Sequence, residues 1–164
     1  MQESQYLHGN EQFIDKFREL PLFGSLERGF LKKLIEMCKI RKFDAGEIIT
    51  AEGGKDFWIY IIISGEVAVS KQGEEIVRLR RVGDLFGELA MIDGETRSAT
   101  VRAASETVCL AIDAYFLDSV KPADRNAIYA VMYRLFAELL SGRLRASNEE
   151  LVAARKEIER LKKW

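Results

Sequence analysis

The stretch "FWIYIIISGEVAVSKQGEEIVRLRRVGD", residues 57–84, decides the fold class. Runs rich in Ile, Val, Tyr and Trp are broken at Gly65, Gly73 and Gly83, which leaves segments of strand length. The same texture continues on both sides. Upstream, "FDAGEIITAEGG" from Phe43 carries Gly46 and Gly53; downstream, "RSATVRAASETVCLAI" runs to Ile112. No proline interrupts residues 43–112, so no strand is confined to a sheet edge on that account. Closely spaced short strands with glycine breaks predict a sandwich or barrel.

Helical spacing flanks this region. In "NEQFIDKFREL", residues 10–20, Phe13, Ile14, Phe17 and Leu20 share one face, and Pro21 ends the pattern. After Ser25, "LERGFLKKLIEMCKI" places Leu31, Leu34, Ile35 and Cys38 at helical spacing and predicts a second helix. "AYFLDSV", residues 114–120, predicts a short helical turn before Pro122. One long helix is expected from about Ala123 to the end, broken by no residue but Gly142. The expected class is α+β: a β-roll, a double-stranded jelly-roll-like barrel, flanked by N-terminal helices and a long C-terminal helix. Residues 1–122 are expected to form the helices and roll, and residues 123–164 a hinge and dimerisation helix.

Composition narrows the function. A chain of 164 residues, 48% hydrophobic and 31% charged, has an ordinary globular balance. Its formal charge of -1 gives no basic field for nucleic acid. The polar N-terminus, "MQESQYLHGNEQ", lacks the apolar core of a secretion signal. No run is long enough to span a membrane, and a cytoplasmic setting is expected. His8 is the one histidine and is read as a solvated terminal residue, so a histidine-rich metal site is not expected. Cys38 and Cys109 read as buried small hydrophobes. No Ser or Cys pairs with a His as nucleophile and base, and no Gly-rich Walker loop is present; an enzyme is not expected.

The segment "DLFGELAMIDGETRSATVRA", residues 84–103, carries the chemistry. Gly87 lets backbone approach a ligand closely. "GELAMI" is expected to open a short helix with its first N–H groups toward an anion. Arg97 is a forked, permanently charged donor suited to phosphate oxygens. Glu88 only accepts, so it suits a sugar hydroxyl such as a ribose 2′-OH. Donor and acceptor together specify a ribose phosphate. The alternative is a buried Glu88–Arg97 ion pair without a ligand, although a bare buried pair seldom adds stability.

"FGELAMIDGETRSATVRA" resembles the phosphate-binding cassette of the cyclic nucleotide-binding domain family, which includes kinase regulatory subunits, cyclic nucleotide-gated channels and catabolite-activator-type regulators. "FDAGEIITAEGGKDFWIYIIISG", residues 43–65, is similar to the family's first strands. Thr96 stands where the family often has proline. The resemblance implies that Glu88 meets the ribose, that Arg97 meets the phosphate, and that the backbone N–H groups of Ser98 and Ala99 join it. Phe86, Gly87, Leu89 and Ala90 complete the expected ligand-binding segment, and Val77 and Arg78 are expected to line the base pocket. Ser98 inclines the expectation to cAMP over cGMP as effector, with no metal.

The long helix carries a heptad seam through Tyr133, Ala137, Leu140, Leu144, Ser147, Leu151, Ala154, Ile158 and Leu161. With Leu151 at position a, Glu150 would face Arg155, and Glu157 would face Lys162, in a parallel partner. A homodimer is expected; the alternative is a single helix lying on its own roll. The helix also resembles the dimer helix of catabolite-activator-type regulators, which implies nucleotide contacts from Arg143, Ser147 and Asn148. The expected function is a cyclic nucleotide sensor that repositions its C-terminal helix toward an unknown downstream protein. Two rivals stand beside it: a transcription regulator lacking its DNA-binding domain, and a dimerisation scaffold with a vestigial site. The chain stops at "LKKW", so direct nucleic-acid binding is not expected, nor is a membrane partner.

Overall fold

The glycine-broken runs fold into two antiparallel sheets. In chain order the elements are β1 (Gln2–Glu3), α1 (Glu11–Arg18), α2 (Arg28–Ile35), β2 (Cys38–Phe43), β3 (Ile48–Thr50), β4 (Trp58–Ser64), β5 (Val67–Lys71), β6 (Glu74–Leu79), β7 (Leu85–Phe86), α3 (Leu89–Asp93), β8 (Thr100–Ala103), β9 (Thr107–Asp113), a 3-10 turn (Ala114–Ser119) and α4 (Pro122–Leu161). The computed structural model describes residues 1–7, 11–19, 23, 24, 26–119 and 121–162, the side chains of 11, 12, 117–119, 123 and 124 excepted. His8, Leu20, Pro21, Ser25 and Val120 lie outside the described residues.

One sheet has the order β1-β2-β9-β4-β7 and the other β3-β8-β5-β6. Between them lies one buried cluster, with Tyr60, Phe86 and Cys109 from the first sheet and Val67, Leu79 and Val101 from the second. On β4 and β9 the alternate residues are buried too: Ile59, Ile61, Leu110 and Ile112. Both faces of these strands are covered, which is why "WIYIIIS" reads as a continuous apolar run and not as an alternation. The expected α+β roll is the observed one.

Two differences from the sequence reading have local causes. α2 ends at Ile35, and Cys38 opens a strand. The Cys38 Sγ donates to the Leu34 carbonyl at 3.1 Å across the helix-to-strand junction. Cys38 is buried like Leu31, Leu34 and Ile35, so its apolar spacing continues the helical pattern although its backbone is already in a strand. The second difference is β1, a polar pair with no apolar signal, which adds to the edge of β2. Both cysteines are free and buried, as their apolar surroundings predict. Burial pushes the Cys38 thiol far above its usual range and the Cys109 thiol up to about 12.

The chain divides into two compact units, Met1–Ile128 and Tyr129–Trp164. The described part of the second unit is the remainder of α4 and its end, with the helix unbroken through Gly142. On it Leu144, Leu151, Ile158 and Leu161 are exposed.

Candidate functional site

The chain reaches the cassette through β7. Phe86 pairs with Tyr60 on β4, and the two rings stack at 5.0 Å with planes 14° apart. Phe86 is thereby a core residue, 3% exposed. Gly87 follows at φ +89, where a Cβ would stand 2.7 Å from both the Arg97 Nη1 and the Trp58 carbonyl oxygen. Only glycine fits a left-handed position walled on two sides. Glu88 then takes the N-cap position of α3 and is 3% exposed. Gly94, at φ +70, ends that helix with its N–H donating to the Ala90 carbonyl.

Arg97 returns from the other side of the loop and is 4% exposed. Its backbone is pinned by the turn before β4: the Gly53 N–H donates to the Arg97 carbonyl at 2.8 Å, and the Arg97 N–H donates to the Gly54 carbonyl at 2.9 Å. Its guanidinium crosses to the start of the cassette. Nη1 donates to the Gly87 carbonyl at 2.9 Å and Nη2 to the Trp58 carbonyl at 2.5 Å. Nε donates to Asp56 Oδ2 at 3.2 Å, and Nη2 also pairs with Asp56 Oδ1. Four of the five N–H donors of the guanidinium are thus engaged.

The structure therefore joins Gly87, Glu88 and Arg97 in one small region, with the guanidinium bonded to the residue before Glu88. The carboxylate that pairs with Arg97 is that of Asp56, which the sequence reading does not single out. Its signal is indirect: a buried guanidinium demands a carboxylate, and Asp56 stands just before the most apolar strand. Lys71, on the end of β5, is likewise unmarked in the sequence; its Nζ donates to the Ser98 carbonyl at 3.2 Å. Ser98 is exposed and Ala99 half-buried. Of the α3 residues, Ala90 is buried and Leu89 exposed.

Val77 and Arg78 part company. Along β6 the pairing runs Leu79 to Val67, Arg78 to Ala68 and Val77 to Val69, then skips Ile76 to place Glu75 opposite Ser70. Val77 shares a face with buried Leu79. Arg78 lies on the opposite face, and the skip brings Glu75 to that face as well. There Arg78 binds Glu75 through Nε at 2.7 Å and Glu66 through Nη1 at 3.1 Å. Arg143, Ser147 and Asn148 lie on the helix of the second unit; Arg143 and Ser147, four residues apart, share one helical face. No group of His, Cys, Asp and Glu among the described residues is arranged to hold a metal ion.

Comparison with known proteins shows the family. The family profile described as cyclic nucleotide-binding domain matches residues 40–120, which hold every cassette residue named above. The chain belongs to the cyclic nucleotide-binding domain family. A cAMP-dependent protein kinase regulatory subunit of Emericella nidulans is 40% identical over 97 residues, 58% of this chain and 23% of the relative. A cGMP-dependent protein kinase of Toxoplasma gondii is 34% identical over 111 residues, 68% of this chain and 11% of the relative. The chain spans less than a quarter of the length of these curated relatives. Among solved structures, a cyclic nucleotide-binding domain from Methylobacillus flagellatus superposes with a TM-score of 0.69 at 21% identity, over 90% of this chain and 87% of that one. The catabolite activator protein of Thermus thermophilus superposes with a TM-score of 0.61 at 27% identity, over 80% and 61%. The cyclic nucleotide-binding domain thus accounts for the roll and its cassette, and among the described residues no helix is long and apolar enough to cross a membrane.

Proposed function

We propose that the chain binds a cyclic nucleotide, cAMP in preference to cGMP, as a non-catalytic regulatory module. The observation that carries the reading is the buried Arg97 tied to the Gly87 carbonyl beside buried Glu88. In it, Asp56 and the Gly87 and Trp58 carbonyls hold the guanidinium in one orientation. The remaining Nη1 donor and the backbone N–H groups of Ser98 and Ala99 take the phosphate oxygens. Glu88 accepts from the ribose 2′-OH. Val77 offers apolar surface to the base, whereas Arg78 would have to leave two carboxylates to take part. In a parallel dimer, Ser147 of the long helix meets the base held by a second copy, assisted by Arg143 or Asn148.

The output belongs to the same proposal. Ligand contacts tighten the cassette, and the helix from about Ala123 is repositioned. The exposed seam through Leu144, Leu151 and Ile158 pairs with a second copy in parallel, where Glu150 meets Arg155 and Glu157 meets Lys162; sedimentation of the full chain tests that part. A soluble cytoplasmic setting and an unidentified downstream protein go with a module of this kind.

The role of Glu88 gives the test of the site. The full chain should bind cAMP about tenfold or more tightly than 2′-deoxy-cAMP, because a hydrogen bond to a charged acceptor contributes about 1.5–3 kcal/mol. Glu88→Ala should bind both weakly and alike. A variant that kept the wild-type discrimination would remove Glu88 from the ribose.

A further inference from the structure

The N-terminal segment is bound to the roll by its backbone, along the outer edge of β2. Gln2 and Glu3 pair with Lys42 and Arg41 of that strand. Beyond them the Ser4 N–H donates to the Ile40 carbonyl at 2.9 Å, and the Leu7 N–H donates to the Cys38 carbonyl at 3.0 Å. The Tyr6 hydroxyl donates to Asp113 Oδ2 at 2.7 Å. Charged side chains lock this segment further. Lys39 Nζ donates to Glu3 Oε1 at 2.6 Å, and Arg41 Nε donates to Glu3 Oε2 at 2.5 Å. Burial would push the Glu3 carboxyl up, but the hydrogen bonds from Lys39 and Arg41 outweigh it and hold it below the usual range.

Arg41 is 8% exposed, too buried to be an ordinary surface cation. Its guanidinium carbon lies 3.7 Å from the centre of the Trp58 ring, and its Nη1 donates to the Tyr60 hydroxyl at 2.6 Å. Those two β4 residues also support the cassette. Trp58 gives its carbonyl to Arg97. Tyr60 stacks on Phe86, the residue immediately before Gly87 and Glu88. One cation therefore touches both supports of the cassette, and the carboxylate that pairs with that cation comes from the N-terminal segment.

We propose that residues 1–7 form a strap that sets the geometry of the nucleotide cassette, with Glu3 and Arg41 as positioning residues acting through Trp58 and Tyr60. This rests on the reading of the cassette as a nucleotide site. With Glu3 in place, the charge of Arg41 is paired and its guanidinium is held over the Trp58 ring. Without it, a buried cation beside Lys39 loses its carboxylate and must move toward water. Trp58 and Tyr60 then lose the contact that fixes their rings, and the Arg97 and Phe86 supports loosen together.

Glu3→Lys in the full chain tests the strap, with two readouts. Amide exchange of Ser4 and Leu7 reports whether the strap is seated, and that of Arg97, bonded to Gly54, reports on the cassette without any ligand. Calorimetry reports cAMP affinity. The expected result is faster exchange at all three amides and binding weaker by roughly five- to tenfold. Adding Lys39→Glu to that variant reverses the pair: it returns a carboxylate beside Arg41, now from β2, with the new cation on the strap to meet it. The double variant should regain both the slow exchange and the affinity. Fast strap exchange with an unchanged Arg97 amide and unchanged affinity would overturn the proposal, as would a double variant that stays as impaired as the single one. If the wild-type chain binds neither cAMP nor cGMP, the nucleotide reading fails instead, and the Arg97 amide alone decides whether the strap positions the cassette.

Discussion

Arg97→Ala should weaken cAMP binding by roughly a hundredfold or more, because breaking a buried charged contact costs about 3–5 kcal/mol. The variant loses the buried cation that ties the two ends of the cassette together. It should also lose stability. The Gly87 and Trp58 carbonyls now accept from the guanidinium, and a buried acceptor left without a donor costs about 1–3 kcal/mol. Asp56, being partly exposed, can turn to water and contributes less to that loss. Arg97→Lys keeps the charge but not the fork, so it cannot serve Asp56 side-on and the Gly87 and Trp58 carbonyls together. It should recover part of the stability and little of the affinity. Titration calorimetry beside urea unfolding separates the two effects. Wild-type affinity in a folded Arg97→Ala protein would exclude this arginine from the phosphate.

Gly87→Ala should be the most destabilising single methyl group in the cassette, at roughly 3 kcal/mol or more in urea unfolding. Two terms add. The backbone stands at φ +89, which a side chain resists by about 1–2 kcal/mol. The new Cβ also meets the Arg97 Nη1 and the Trp58 carbonyl, each at 2.7 Å. Gly46 supplies the control. It has nearly the same φ, +88, yet nothing stands within 4 Å of its Cβ position. Gly46→Ala should therefore show the conformational term alone and leave nucleotide affinity unchanged. Equal losses for the two variants would mean that the walls around Gly87 yield freely.

The roll is legible in the sequence because its strands announce themselves locally. β-branched runs and glycine breaks need no knowledge of what lies across the sheet. The cassette is legible for a related reason: Gly87, Glu88 and Arg97 fall within eleven residues of one another. What escapes depends on distant partners. Asp56 and Arg97 are 41 positions apart, and nothing near Asp56 marks it as the partner of a buried arginine. The setting of Arg78 is hidden in the same way. Alternation along β6 places Arg78 on the face opposite Leu79, and the register skip at Ile76 brings Glu75 to that same face, where Glu75 and Glu66 hold it. β1 escapes because two polar residues carry no periodicity. What places them is the pair of β2 cations, Lys39 and Arg41, which bind Glu3 from 36 and 38 positions away.

Calorimetric titration of the full chain with cAMP, and in parallel with cGMP, tests the central claim most directly. The account predicts saturable binding of one nucleotide per chain, tighter for cAMP, with the heat abolished when Arg97 and Glu88 are both replaced by alanine. No saturable heat with either nucleotide, together with no shift in the thermal midpoint at millimolar ligand, would contradict it.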